Sequence, residues 1–115
     1  MYSAAEIVGQ LNNPIEEDKA LVKKAYDFAA EAHKGHTRFS GDPYMVHLAA
    51  VGYKLAAMGM GPRTIAAGLL HDSIEDTSVS AEDIRQAFGD EILFLVEGVT
   101  KLSSVRYYGS DRHNE

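Results

Sequence analysis

Leu69-Leu70-His71-Asp72-Ser73-Ile74-Glu75-Asp76-Thr77 joins an apolar run to four groups that bind cations or protons. The run behind it contains Ile65, Ala66, Ala67, Leu69 and Leu70, and reads as a compact, deeply buried helix from about Arg63 to His71. Ala66, Ala67 and Gly68 are small enough to let a neighbouring helix approach closely. Residues four apart share a helix face, so Glu75 is expected above His71 and Asp76 above Asp72. Imidazole nitrogen beside carboxylate oxygen suits Mn, Fe, Zn and similar divalent ions. The two further carboxylates are placed to handle the protons of an attacking water. An isolated His-Asp pair is most often a polar helix end, and Glu75-Asp76 could equally be an acidic cap. The surrounding pattern decides between these readings.

Upstream, Gly59-Met60-Gly61-Pro62 breaks the chain, and Pro43 starts a helix through roughly Met58. Val46, Leu48, Ala49, Val51, Leu55 and Ala56 give that helix an apolar surface broad enough for a central position. It also carries His47, twenty-four residues before His71. A lone histidine on an apolar helix is more often a satisfied core residue than a ligand. Beside a His-Asp pair on another helix the ligand reading prevails, because two histidines and one carboxylate from separate helices commonly hold a catalytic metal with open positions.

Before Pro43, the segment from Gly35 to Asp42 is polar and glycine-punctuated, hence a loop, and loops held between rigid helices are where ligand contacts concentrate. The helix ahead of it is expected to be capped by Asn13 before Pro14, to load its first turn with Glu16, Glu17 and Asp18, and to run to about Lys34 with Gly35 as its stop. A short first helix spans Ala4 to Leu11. Downstream, Ser80-Ala81-Glu82-Asp83 resembles a capping box, its helix stops at Gly89, and Asp90 is expected to cap a last helix bearing Ile92, Leu93, Leu95, Val96 and Val99. Residues 103–115 read as a polar loop or tail. No run alternates as a strand does, so the fold class is all-α.

The 115 residues suit one domain, and 45% hydrophobic with 24% charged residues is ordinary for a globular chain. A formal net charge of −6 argues against nucleic acid as a partner, which usually requires a basic patch. An anionic small substrate is compatible with it, because a bound divalent cation reverses the local sign. With no cysteine, disulfides and thiolate metal sites are excluded. Neither a signal-peptide pattern nor an apolar run near the ~20 residues of a membrane span is present, and the expected location is cytoplasmic.

Three stretches in order carry a family resemblance: His33-Lys34-Gly35-His36-Thr37-Arg38-Phe39-Ser40-Gly41-Asp42-Pro43-Tyr44-Met45-Val46-His47, then Thr64 through Thr77, then Phe88-Gly89-Asp90-Glu91 with Val96-Glu97-Gly98-Val99-Thr100-Lys101-Leu102-Ser103. Together they resemble the hydrolase domain of RelA/SpoT homologues, members of the HD superfamily of metal-dependent phosphohydrolases. The resemblance implies an HD-type helical bundle. It also implies manganese-dependent removal of the 3′-pyrophosphate from the guanosine tetra- and pentaphosphates (p)ppGpp, giving GDP or GTP and pyrophosphate. It makes His47, His71 and Asp72 metal ligands, and Glu75 and Asp76 the groups that organise and deprotonate water. Arg38 would contact the guanine or a phosphate, with Ser40 nearby. Lys101 would reach substrate phosphate or be a surface lysine.

Two residues depart from the family pattern: His36 stands where glutamine is common, and Leu48 where proline is common. His36 is expected at the rim without a role. The family's fourth metal ligand, an aspartate in a Leu-Ala-Asp-Arg-Leu-His-Asn context, has no match, since Asp111-Arg112-His113-Asn114 lacks the leucine and the preceding apolar helix. The chain therefore resembles the N-terminal portion of such a domain. Weakened metal binding, impaired activity and self-association through uncovered apolar surface are expected. The alternatives are an HD phosphohydrolase acting on another nucleotide and a catalytically silent nucleotide-binding regulatory domain. Nothing resembles a synthetase domain.

Overall fold

The computed structural model describes residues 1–101, and the expectations for residues 103–115 lie outside them. Six helices have both ends within that span: α1 (Ala4–Val8), α2 (Glu16–Ala32), α3 (Tyr44–Ala57), α4 (Pro62–Leu70), α5 (Ser73–Asp76) and α6 (Ala81–Phe88). A seventh, α7, covers residues 90–101. Among the described residues the only β-type pairing is an isolated antiparallel bridge between Thr37 and Pro43. The fold is all-α, and among the described residues no helix is long and apolar enough to cross a membrane.

Helix α4 sits at the centre, packed against α2 and α3, and α1 packs against both of those partners. Its six residues from Ile65 to Leu70 are all buried. Pro62 occupies the first turn, where its missing N–H leaves no bond unmade. Close approach to α3 depends on Gly52. A Cβ there would lie 2.9 Å from Leu69 Cδ2 and 3.2 Å from Ile7 Cδ1, and both of those side chains are fully buried. Gly52→Ala is therefore expected to lower stability by about 1–3 kcal/mol through overpacking, read as a fall in the thermal unfolding midpoint; an unchanged midpoint would show that α3 and α4 can move apart freely.

Several helix ends differ from the sequence reading. Asn13 does not cap α2: it adopts a left-handed conformation (φ 46°), and Ile15 takes the cap position, its N–H bonded to Asp18 Oδ2 at 3.2 Å. The acidic first turn thus supplies the cap itself. Helix α2 ends at Ala32, ahead of Lys34, and α1 ends at Val8, ahead of Leu11. Asp90 is already helical, since the Leu93 N–H bonds to the Gly89 carbonyl. The Ser80 cap forms as expected: its Oγ accepts from the Asp83 N–H, and Asp83 Oδ2 accepts from the Ser80 N–H.

The helix carrying His71 ends close to where the sequence places it, and the difference that matters for the site is that a separate helix starts just beyond Asp72. Helix α4 stops at Leu70 and α5 begins at Ser73. At the break, Thr100 Oγ1 from α7 lies 2.9 Å from both the His71 and the Val96 carbonyls, so its single proton serves the two. The first turn of α5 is closed by the bond from the Asp76 N–H to the carbonyl of its cap residue Asp72 at 3.0 Å.

Candidate metal centre and nucleotide cavity

The break presents His71 and Asp72 side by side from a buried helix end. His71 Nδ1 lies 2.6 Å from the Gly68 carbonyl, a contact that only an N–H can make favourably. That bond leaves the lone pair of neutral His71 on Nε2, which faces Asp72 Oδ1 at 3.2 Å, and the two side chains are only 13% and 18% exposed. Two acceptors held face to face call for a shared proton or a cation. A histidine whose other nitrogen donates to a backbone carbonyl is the arrangement that metal-binding histidines ordinarily have. The donor set therefore fits a divalent ion.

The other Asp72 oxygen, Oδ2, accepts a 2.6 Å hydrogen bond from the Tyr44 hydroxyl. Burial first, and then this hydrogen bond and the nearby Asp72 charge, push Tyr44 well above the usual tyrosine range, so it stays a donor. Its ring lies 4.9 Å from His33 and 4.5 Å from His36, within 10° and 4° of parallel. The two imidazoles meet through their Nδ1 atoms at 3.1 Å, with centroids 5.4 Å apart. Both are therefore joined edge to edge and cover one side of the tyrosine ring. His36, expected to have no role, is half of this plate.

His47 meets Tyr44 edge-on, centroids 5.6 Å apart, so the same tyrosine connects it to Asp72. Burial, then the Arg38 charge, lowers its pKa; burial, then His36, does the same for His33. Both shifts favour the neutral ring, the form that binds metal. Among the described residues no three His, Asp or Glu side chains converge closely enough to hold an ion together, so His71 and Asp72 stand as a pair with His47 one ring away.

An open cavity of about 730 Å³ adjoins this group, lined by His36, Thr37, Arg38, Phe39, Ser40, Tyr44 and Asp76. That volume lies within the usual range for small-ligand sites. The loop on one side is a small hairpin, closed by bonds from Arg38 N–H to the Asp42 carbonyl and from Tyr44 N–H to the His36 carbonyl. Gly41 makes its turn at φ 88°, a conformation that favours glycine. Ser40 Oγ is engaged within the loop, donating to Asp42 Oδ2 at 3.1 Å. Arg38 and Phe39 stand exposed at the tip. Of the two downstream carboxylates, Asp76 lines the cavity and Glu75 is exposed outside its lining. Lys101 is exposed at the end of the described part of α7, also away from the lining.

Sequence reasoning passed over Tyr44, His33 and Phe39. A signal for the first two was available in the aromatic density of the stretch, and for Phe39 in a large apolar residue standing within a polar loop.

Residues 25–115 match the family model described as HD domain, and the chain belongs to that family. Its relatives are of the RelA/SpoT type. It is 48% identical over 98 residues to a GTP pyrophosphokinase of Streptomyces coelicolor, covering 84% of this chain and 12% of that protein. It is 43% identical over 93 residues to a guanosine-3′,5′-bis(diphosphate) 3′-pyrophosphohydrolase of Aquifex aeolicus, covering 81% and 13%. To the bifunctional (p)ppGpp synthase/hydrolase SpoT of Escherichia coli K12 it is 44% identical over 92 residues, covering 80% and 13%. The chain thus spans about one eighth of the length of these curated relatives.

Proposed function

We propose that this chain carries the hydrolytic site of a (p)ppGpp 3′-pyrophosphohydrolase, releasing pyrophosphate and leaving GDP or GTP. The observation behind this reading is the His71–Asp72 pair, its Nε2 and Oδ1 facing one another at 3.2 Å, near a cavity of nucleotide size bordered by a cation and a carboxylate. HD domains are typically dependent on divalent metals, and His71 with Asp72, joined by His47, would hold the ion here; Mn²⁺ is the expected one. When bound, such an ion supplies positive charge that polarises a phosphoryl oxygen and eases deprotonation of water.

The chain's own residues do the rest. Asp76, on the cavity wall, takes the proton of the attacking water, and Glu75 on the same turn helps order that water. The water oxygen bonds to phosphorus, the bond to the ribose 3′ oxygen breaks, and that oxygen takes up a proton from solvent while Asp76 gives the water's proton back to solvent. Arg38 offers a planar, permanently charged group for a phosphate or the guanine face, and Phe39 beside it offers a flat apolar face. Ser40 shapes the loop through Asp42, and Lys101 adds positive charge at longer range. A cytoplasmic location is the expected one for such an enzyme.

The test is incubation with Mn²⁺ and ppGpp, with dNTPs as controls. Pyrophosphate release from ppGpp alone is expected, abolished by EDTA and restored by excess Mn²⁺. Release from dNTPs at similar rates would point instead to a broader nucleotide phosphohydrolase. Binding without turnover would point to a regulatory domain.

A further inference from the structure

We infer that Tyr44 is a positioning residue that fixes the orientation of the Asp72 carboxylate, and that the His33–His36 imidazole pair is the platform holding Tyr44 in place. The inference rests on the metal reading proposed above and adds a residue set to it.

An aspartate carboxylate turns easily about its last torsion, which is broad and roughly two-fold. Left free, Asp72 would present either oxygen, or both, to His71. The Tyr44 hydroxyl takes Oδ2 at 2.6 Å, and Oδ1 is then the atom that faces His71 Nε2 at 3.2 Å. A single bond from a mobile tyrosine would hold nothing. This ring, however, lies flat on two imidazoles joined at 3.1 Å, with His47 against its edge. His33, at the end of α2, is 3% exposed and anchors the plate in the interior. The Tyr44 N–H is also tied to the His36 carbonyl at 2.8 Å, which couples the plate to the start of α3. The chain from α2 through the cavity loop to α3 thus converges on one carboxylate oxygen. Groups that hold a metal-binding side chain in this way typically contribute about 10–100-fold to metal affinity.

The experiment is Mn²⁺ titration of the 115-residue chain, followed by the EPR signal of the free ion, for wild type, Tyr44→Phe and Asp72→Asn. Thermal melts of all three without metal accompany the titration. Tyr44→Phe keeps the ring and its stacking and removes only the hydroxyl. It is expected to weaken Mn²⁺ binding about 10–100-fold with a melting midpoint close to that of wild type. If Asp72→Asn weakens binding and Tyr44→Phe leaves it within twofold of wild type, the positioning role is overturned while the metal reading stands. If Asp72→Asn also leaves the affinity unchanged, or wild type binds no Mn²⁺, the metal reading itself fails and the inference with it.

Discussion

Asp76→Asn is expected to lower the rate of pyrophosphate release from ppGpp by about 10²–10⁴-fold, the usual contribution of a general base, with KM changed little. The expectation follows from where the side chain sits. Among the described residues Asp76 is the carboxylate that lines the cavity, and its N–H is bonded to the Asp72 carbonyl at 3.0 Å, so it is held one helical turn from the candidate metal pair. The amide keeps the size of the side chain and loses the ability to accept a proton from water. Glu75→Gln is expected to cost less, because Glu75 is exposed outside the lining. Steady-state kinetics of both variants read the difference. A fall of less than tenfold for Asp76→Asn, or a larger one for Glu75→Gln, would reverse the assignment of the base.

The largest stability effect is expected at Leu70→Ala, about 2–5 kcal/mol by lost burial and cavity formation. Leu70 is fully buried at the end of the central helix, immediately before the break that presents His71. Domains of this kind hold only about 5–15 kcal/mol in total, so urea unfolding should show a large drop in the midpoint. Metal affinity should fall as well, because the residue next to His71 would no longer be anchored. A loss below about 1 kcal/mol would mean that the surrounding helices collapse into the space and that α4 is not the centre of the core.

Much of the helical layout was legible because the signals are local. Gly59 through Pro62 and Gly89 punctuate the chain, and the apolar run of α4 has little choice but burial. The adjacency of His71 and Asp72 needed no structure at all. The end of the helix near His71 was legible too, but the fresh start at Ser73 was not: nothing in Asp72-Ser73-Ile74 marks it, and the His71 carbonyl is met by Thr100, a residue far along the chain. The cap of α2 was misplaced for a similar reason, since Asn13 is a good capping residue but is drawn into a left-handed turn two positions earlier. The plate beneath Tyr44 was hidden because it depends on side-chain packing. His33, His36 and Tyr44 lie on three different segments, and their parallel contact is set by how α2 and α3 close the loop between them.

The most direct test is a crystal of the chain soaked in Mn²⁺, with anomalous scattering recorded at the manganese edge. One peak is expected at bonding distance from His71 Nε2 and Asp72 Oδ1, on the side open to His47, with Tyr44 still bonded to Asp72 Oδ2. A peak elsewhere, or a His71–Asp72 pair that stays in direct contact with no ion under saturating metal, would contradict the assignment of this break in the central helix as a metal centre.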